Sequence, residues 1–274
     1  MQDRGLRPEK RLGQNFLINV GVVEAIVDAG GEGATAIDVG SGPGTMALPL
    51  SHRYPRVIAV EIDPGLVAVL EDTLGHRENV DIVSADATEI DWARTVASLG
   101  AATPIVWFGN LPYYAASPIL TRILQSEMNW VRAIFMLQNE VADRITASPG
   151  EKAYGILSLV VAYYADSRML RKVKPGSFYP APDVVSAVVC LTPRADRPEV
   201  AFEDFVRVVR AGFGQRRKTL RNALVGSVEL GLDRDAVDGA LATAEIDPGV
   251  RAETLALDQF VDLTRAVAGY FSKS

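Results

Sequence analysis

Cysteine and histidine are nearly absent: Cys190 is the single thiol, and His52 and His76 are the only imidazoles among 274 residues. One cysteine excludes an internal disulfide framework and any cysteine-cluster metal centre. Two histidines leave little for a zinc site or a histidine-based triad, so chemistry free of metal and of histidine is expected. Long hydrophobic runs are also missing. No stretch of about 18 apolar residues occurs, and the opening "MQDRGLRPEKRLGQNF" is too polar to hold a signal-peptide core. A soluble, cytoplasmic chain with no membrane partner is expected. Excess positive charge is lacking too: the formal charge is −6 and the isoelectric point about 5.1. Taken alone, that balance argues against a nucleic-acid partner.

The average conceals contrast along the chain. "RPEKR" (7–11), "SRMLRKVK" (167–174) and "GQRRKTLR" (214–221) are basic, whereas "EIDPGLVAVLEDT" (61–73) is acidic. Each run read singly is a solvated face. Three together can also converge on one surface, and the runs by themselves do not choose.

With 48% hydrophobic residues, the chain can bury one full core and a second, smaller one. Apolar runs bounded by turn signals alternate with amphipathic stretches, the pattern of a parallel sheet with crossover helices. Strands are expected at 34–39, 56–61, 79–84, 104–109, 132–138, 168–174 and 184–191. Asp63 before Pro64, and Ser117 before Pro118, have the form of helix N-caps with proline in the first turn. Further helices are expected near 139–147 and 154–165. The segment "TPRADRPEV" (192–200) then changes the character of the chain, and only helical periodicity follows, near 202–212, 218–228, 233–243 and 256–269. The expectation is an α/β domain over 1–195, with a basic arm over 1–20, and a small all-α domain over 196–274. Its seven strands would form a Rossmann-like sheet with helices on both faces and an antiparallel end.

Three features at successive strand ends carry chemistry. "DVGSGPG" follows the first strand, and Gly40, Gly42 and Gly44 let the backbone turn sharply against a ligand. Their G-x-G-x-G spacing is not the dinucleotide G-x-G-x-x-G, and a tight turn alone would also account for them. Glu61 ends the second strand, where a carboxylate can accept two hydrogen bonds from a ribose diol, as in NAD and S-adenosylmethionine sites. Asp86 ends the third, where it can accept from an adenine amine or simply cap a helix. The carboxyl ends of the strands are where open α/β sheets bind ligands.

"VWFGNLPYYAASP" (106–118) falls at the end of the fourth strand, beside the same crevice. Methylating an exocyclic base amine requires its lone pair to be drawn out of ring delocalisation. Acceptors placed on the N–H groups favour that geometry. The Asn110 side-chain oxygen and the Leu111 carbonyl are suited to the task, and Pro112 stiffens the turn that aims them. Tyr113 offers a flat face for an extruded base. The plain alternative is an ordinary Asn-Leu-Pro turn followed by half-buried tyrosines.

These motifs, with "KRLGQNFL" (10–17), "VEIDP" (60–64), "EKAYGILS" (151–158), "FYPAPDVVSAVV" (178–189) and "GFGQRRKTLRNAL" (212–224), run nearly end to end. Together they resemble the bacterial small-subunit ribosomal RNA adenine dimethyltransferase family. The resemblance implies S-adenosylmethionine as methyl donor, no metal, and two adjacent adenosines in the 3′-terminal hairpin loop of small-subunit rRNA as target. It also implies a monomer acting on an immature 30S particle. By motif, Asn15 and Leu17 would close over the cofactor, Gly40, Gly42 and Gly44 would line it, Glu61 would hold the ribose and Asp86 the adenine. Asn110 would bridge cofactor and base, and Tyr113 and Phe178 would sandwich the target adenine. The basic runs then acquire a purpose: Arg7, Lys10, Arg11, Arg216, Arg217, Lys218 and Arg221 are expected on rRNA phosphates, Arg217 and Arg221 sharing one helical face. Cys190 is expected to be a buried apolar residue. Three rivals stay open. A large-subunit methylase of the macrolide-resistance type would ordinarily be strongly basic, an assembly factor would keep binding and make methylation secondary, and a dinucleotide oxidoreductase would leave "NLPY" unexplained.

Overall fold

A computed structural model describes residues 14–215 and 217–271, so Arg7, Lys10, Arg11 and Arg216 lie outside the described residues. The chain divides into two compact units, Met1–Ala142 with Asp166–Pro193, and Asp143–Ala165 with Arg194–Ser274. In chain order the first unit begins with strand β1 (Phe16–Leu17), helix α1 (Val20–Gly30), β2 (Thr35–Val39), α2 (Ala47–Arg53), β3 (Arg56–Glu61) and α3 (Pro64–Leu74). It continues with β4 (Val80–Ser84), α4 (Trp92–Ser98), β5 (Ile105–Asn110), α5 (Ala116–Leu124) and β6 (Trp130–Gln138). Helix α6 (Asn139–Thr146) contains the division, α7 (Ile156–Tyr164) belongs to the second unit, and the chain returns through β7 (Ala165–Val173), β8 (Phe178–Tyr179) and β9 (Ser186–Pro193). The second unit is completed by α8 (Phe202–Phe213), α9 (Leu220–Val225), α10 (Arg234–Thr243) and α11 (Leu257–Phe271).

The main sheet has seven strands in the order β4-β3-β2-β5-β6-β9-β7. β2 pairs in parallel with β3 and β5, and β6 pairs antiparallel with β9. The seven strands and the antiparallel end match the sequence expectation. "TAIDV" and "RVIAVE" are buried along almost their whole length, as parallel strands covered on both faces must be. The chain winds outward from β2 to β4 and then returns to the other side of β2 with β5. That reversal opens a crevice at the carboxyl ends of β2 and β5.

Local chemistry fixes where the elements start. Asp63 caps α3, its Oδ1 accepting from the N–H of Gly65 at 2.8 Å and of Leu66 at 3.3 Å. Ser117 is no cap: α5 already begins at Ala116, so Ser117 and Pro118 sit within its first turn, where the proline lacks an N–H the helix would not use. Gly109 stands where β5 leaves the core. A Cβ there would meet the Val39 carbonyl oxygen and Leu111 Cδ2, each at 2.8 Å. A backbone oxygen does not swing aside as a side chain does, so Gly109→Ala is expected to cost about 1–3 kcal/mol. Denaturant unfolding of the variant measures it.

The helical unit includes 143–165, which sequence reading had assigned to the α/β domain. α7 is apolar all round, and its rings explain where it belongs. Tyr163 and Tyr164 meet Phe202 with centroids 5.1 and 5.0 Å apart, and Tyr163 donates to the Val200 carbonyl at 2.6 Å. Around them Phe205, Val209, Leu224, Leu241 and Phe260 form a second core.

Candidate active site

An open cleft lies at the carboxyl ends of β2, β3, β4 and β5. Gly40 and Gly42 enter it from the loop after β2. Their φ of 69° and 57° lies in the left-handed region where a side chain is strained. A Cβ on Gly42 would also press on the Phe16 ring at 3.1 Å. Gly44 does not line the cleft: it turns the loop back toward α3, where a Cβ would meet Leu70 and Leu74.

Glu61 is 6% exposed and its carboxylate is tied down by backbone. Oε2 accepts from the Gly42 N–H at 2.8 Å, and Oε1 accepts from the N–H groups of Ile62 and Asp63 at 2.9 Å each. Burial pushes its carboxyl above the usual range, against the pull of those three donors. Two carboxylate oxygens offer about four acceptor sites, so with three filled one remains for a ligand hydroxyl. Asp86 lies two residues beyond β4, not at its end. Its Oδ1 accepts from the Thr88 N–H at 2.8 Å and the Thr88 hydroxyl at 2.7 Å, a turn that begins no helix. Its side chain is thereby fixed on the cleft wall.

Behind these groups sits Asp38, fully buried, with neither carboxylate oxygen hydrogen-bonded. Desolvation raises its pKa to about 7; the nearby Ser41 hydroxyl and Ala47 amide offset part of that without bonding either oxygen, and Glu61 adds to it.

Asn110 ends β5, and its Nδ2 donates to the Asn15 backbone carbonyl at 2.8 Å. A carbonyl only accepts, so this contact decides the amide's orientation and reserves Oδ1 as the acceptor. Asn15 is held in turn by its neighbours: Phe16 pairs with Tyr179 and Leu17 with Phe178 in the short β1–β8 ladder. Pro112 and Tyr113 follow on the rim, and the Tyr113 hydroxyl shares a 3.0 Å hydrogen bond with Ser186 that fixes the ring's tip. Burial raises the Tyr113 pKa, so this phenol stays neutral.

The structure therefore brings Asn15, Gly40, Gly42, Glu61, Asp86, Asn110, Leu111, Pro112 and Tyr113 to one cleft. Leu17 and Phe178 are not at its surface. Both are buried in the core behind the ladder, Phe178 at 3% exposure, because a strand alternates its faces and these two face inward. Their neighbours take the outward positions: Phe16 lines the cleft, and Tyr179 is 52% exposed. Sequence reasoning missed Phe16 and Gln14, and it favoured core packing for Tyr114, which the structure instead exposes. Gln14 Nε2 donates to Asp63 Oδ2 at 3.0 Å, and Tyr114 stands 62% exposed on the rim. "GQNFL" was the available signal for the first two, but a two-residue strand is too short to reveal its alternation.

Among the expected RNA contacts, Arg217 and Lys218 are exposed. Arg217 lies in a turn before α9, not on it, since the Lys218 N–H bonds the Gln215 carbonyl at 2.9 Å. It shares no helical face with Arg221. Arg221 is paired, its Nε donating to Asp238 Oδ1 at 2.6 Å. Cys190 is buried in β9 with its thiol free.

Residues 5–268 match the profile of a family described as ribosomal RNA adenine dimethylase. The ribosomal RNA small subunit methyltransferase A of Moorella thermoacetica is 43% identical over 277 residues, 97% of this chain and 95% of that protein. A dimethyladenosine transferase from Plasmodium falciparum has a similar fold, with a TM-score of 0.78 at 21% identity over 94% of this chain and 98% of that one. The 23S rRNA methyltransferase ErmE follows at 0.68 and 22% identity, over 93% and 100%. At such identities the two structures speak to the fold alone.

Proposed function

The chain belongs to the ribosomal RNA adenine dimethylase family and is an rRNA adenine dimethyltransferase of small-subunit type, and from that premise we propose its substrate, cofactor and catalytic groups. The target is the pair of adjacent adenosines in the 3′-terminal hairpin loop of small-subunit rRNA. The enzyme meets them as a monomer on an immature 30S particle in the cytoplasm, so that methylation serves subunit biogenesis. Residues 196–274 form the part that recognises RNA.

S-adenosylmethionine supplies an electrophilic methyl group. The cleft suits it in charge: two carboxylates, Glu61 and Asp86, line it, and no lysine or arginine does so among the described residues. Glu61 holds a hydroxyl of the ribose diol with its remaining acceptor site, Asp86 the adenine amine, and the Gly40–Gly42 backbone admits the ligand closely. Glu61→Gln would present an amide N–H₂ to one of three backbone donors. Losing charge-assisted bonds of about 1.5–3 kcal/mol weakens cofactor binding ten- to a hundredfold, measured by calorimetry.

The observation that carries the catalytic reading is the Asn110 amide, fixed by the Asn15 carbonyl with Oδ1 left to accept. Oδ1 and the Leu111 carbonyl accept the target amine's N–H groups and favour a pyramidal nitrogen whose lone pair is withdrawn from ring delocalisation. Tyr113 provides the stacking face, with exposed Tyr114 beside it. No side-chain base is needed, because an amine gaining a methyl group becomes strongly acidic and passes its proton to solvent. The decisive experiment incubates the protein with S-adenosylmethionine and unmethylated small subunits, then analyses nucleosides for dimethyladenosine. A folded enzyme yielding none overturns the reading.

A further inference from the structure

The cleft that receives the reacting base offers a polyanion two carboxylates and no cation among the described residues. RNA must therefore be gripped outside it. Arg221 is already neutralised by Asp238, which leaves Arg217 and Lys218 as the exposed described cations of the third basic run. The second basic run, "SRMLRKVK", has no role so far.

Residues 167–173 of that run lie on β7, the last strand of the seven-stranded sheet, and Lys174 follows it directly. Arg168, Arg171, Lys172 and Lys174 are all exposed, while Val173 is buried and Leu170 packs against the core. Arg168 and Lys172 stand on one face of β7 and Arg171 on the other, all at the open edge of the sheet, while Lys174 follows the strand. None of the four has an ion pair or side-chain hydrogen bond among the described residues. No acid lies between them; the nearest in sequence is Asp166, at the strand's start. At about 3.3 Å per strand residue the four charges extend over roughly 20 Å. On a chain of charge −6 this is an uncompensated positive strip.

The strip leads to the active site along the chain. After Lys174, the turn Pro175–Ser177 delivers the backbone to β8. The Ser177 carbonyl accepts from the Ile18 N–H at 2.8 Å, and β8 pairs with β1, whose preceding residue Asn15 holds Asn110.

Resting on the proposed rRNA substrate, we infer that Arg168, Arg171, Lys172 and, just past the strand, Lys174 form a phosphate-binding strip along the open edge of β7, which tracks the rRNA backbone leading to the cleft. Cations on an edge strand also guard against edge-to-edge pairing, and the test separates the two roles. In R171E/K172E the edge stays charged, so guarding is preserved while phosphate attraction is reversed. Binding of unmethylated small subunits is measured across a salt series, with cofactor affinity by calorimetry as a control for the fold. The double variant is expected to bind at least about tenfold more weakly near 0.1 M salt and to lower the slope of log K against log salt by about 2. The exchange R171K/K172R keeps both. Should the double variant misfold, the single variants R168E and K174E carry the test, each lowering the slope by about 1. Wild-type affinity and slope in folded charge-reversed variants overturn the strip and leave the rRNA reading standing. A wild-type protein that does not bind small subunits overturns both.

Discussion

Asn110→Ala is expected to lower single-turnover methyl transfer to small subunits by about 10²–10³-fold, the usual effect of removing one preorganised dipole from a reacting centre. Oδ1 acts only if it points at the amine, and its direction is set by the Nδ2 contact to the Asn15 carbonyl at 2.8 Å. Asn110→Asp separates accepting from aiming. It retains acceptor oxygens, yet an oxygen replaces Nδ2 against the Asn15 carbonyl and the two repel. A comparable loss in both variants, with subunit binding intact, is the expected pattern. An alanine variant within about threefold of wild type would remove Asn110 from the chemistry.

A second large effect concerns stability. Asp38 is fully buried without a hydrogen bond to either oxygen, and its pKa is raised from 3.8 to about 7, chiefly by desolvation. The folded state therefore holds this proton more tightly than the unfolded chain does. The associated stability is fully present below pH 4 and is lost as pH rises through about 7. Three pH units correspond to about 4 kcal/mol. Asp38→Asn abolishes the titration, so its stability relative to wild type should climb from pH 5 to pH 8. Paired urea melts at several pH values measure that difference and cancel the contributions of other groups, including the likewise raised Glu61. A difference that stays flat with pH would mean that Asp38 is solvated in the folded protein.

The parallel core was legible because its signal is long. "TAIDV" and "RVIAVE" are largely apolar runs at spacings that fit crossover helices, and their bounds came within a residue of those observed. The glycine loop, Glu61 and Asn110 were legible for the same reason, since strand ends locate them. What was missed is decided by contacts too short or too distant for periodicity. A two-residue ladder chose Phe16 over Leu17 as the cleft-facing side chain, and the same alternation buried Phe178. The placement of α7 was invisible because an all-round apolar helix does not declare its partner; aromatic contacts to Phe202 and Phe205 do. Arg217 and Arg221 looked alike in sequence, and a single turn before α9 separated them.

The β1–β8 ladder also imposes an order in time. Asn15 is made well before its support, since the strand that fixes its neighbours contains residues 178 and 179. Synthesis runs from the N-terminus at about 5–20 residues per second, so the arm waits roughly ten seconds or more for that partner to be made. The nascent chain can assemble the first five parallel strands while the amide of Asn110 still lacks its anchor. Catalytic competence is thus acquired late in the life of a new molecule.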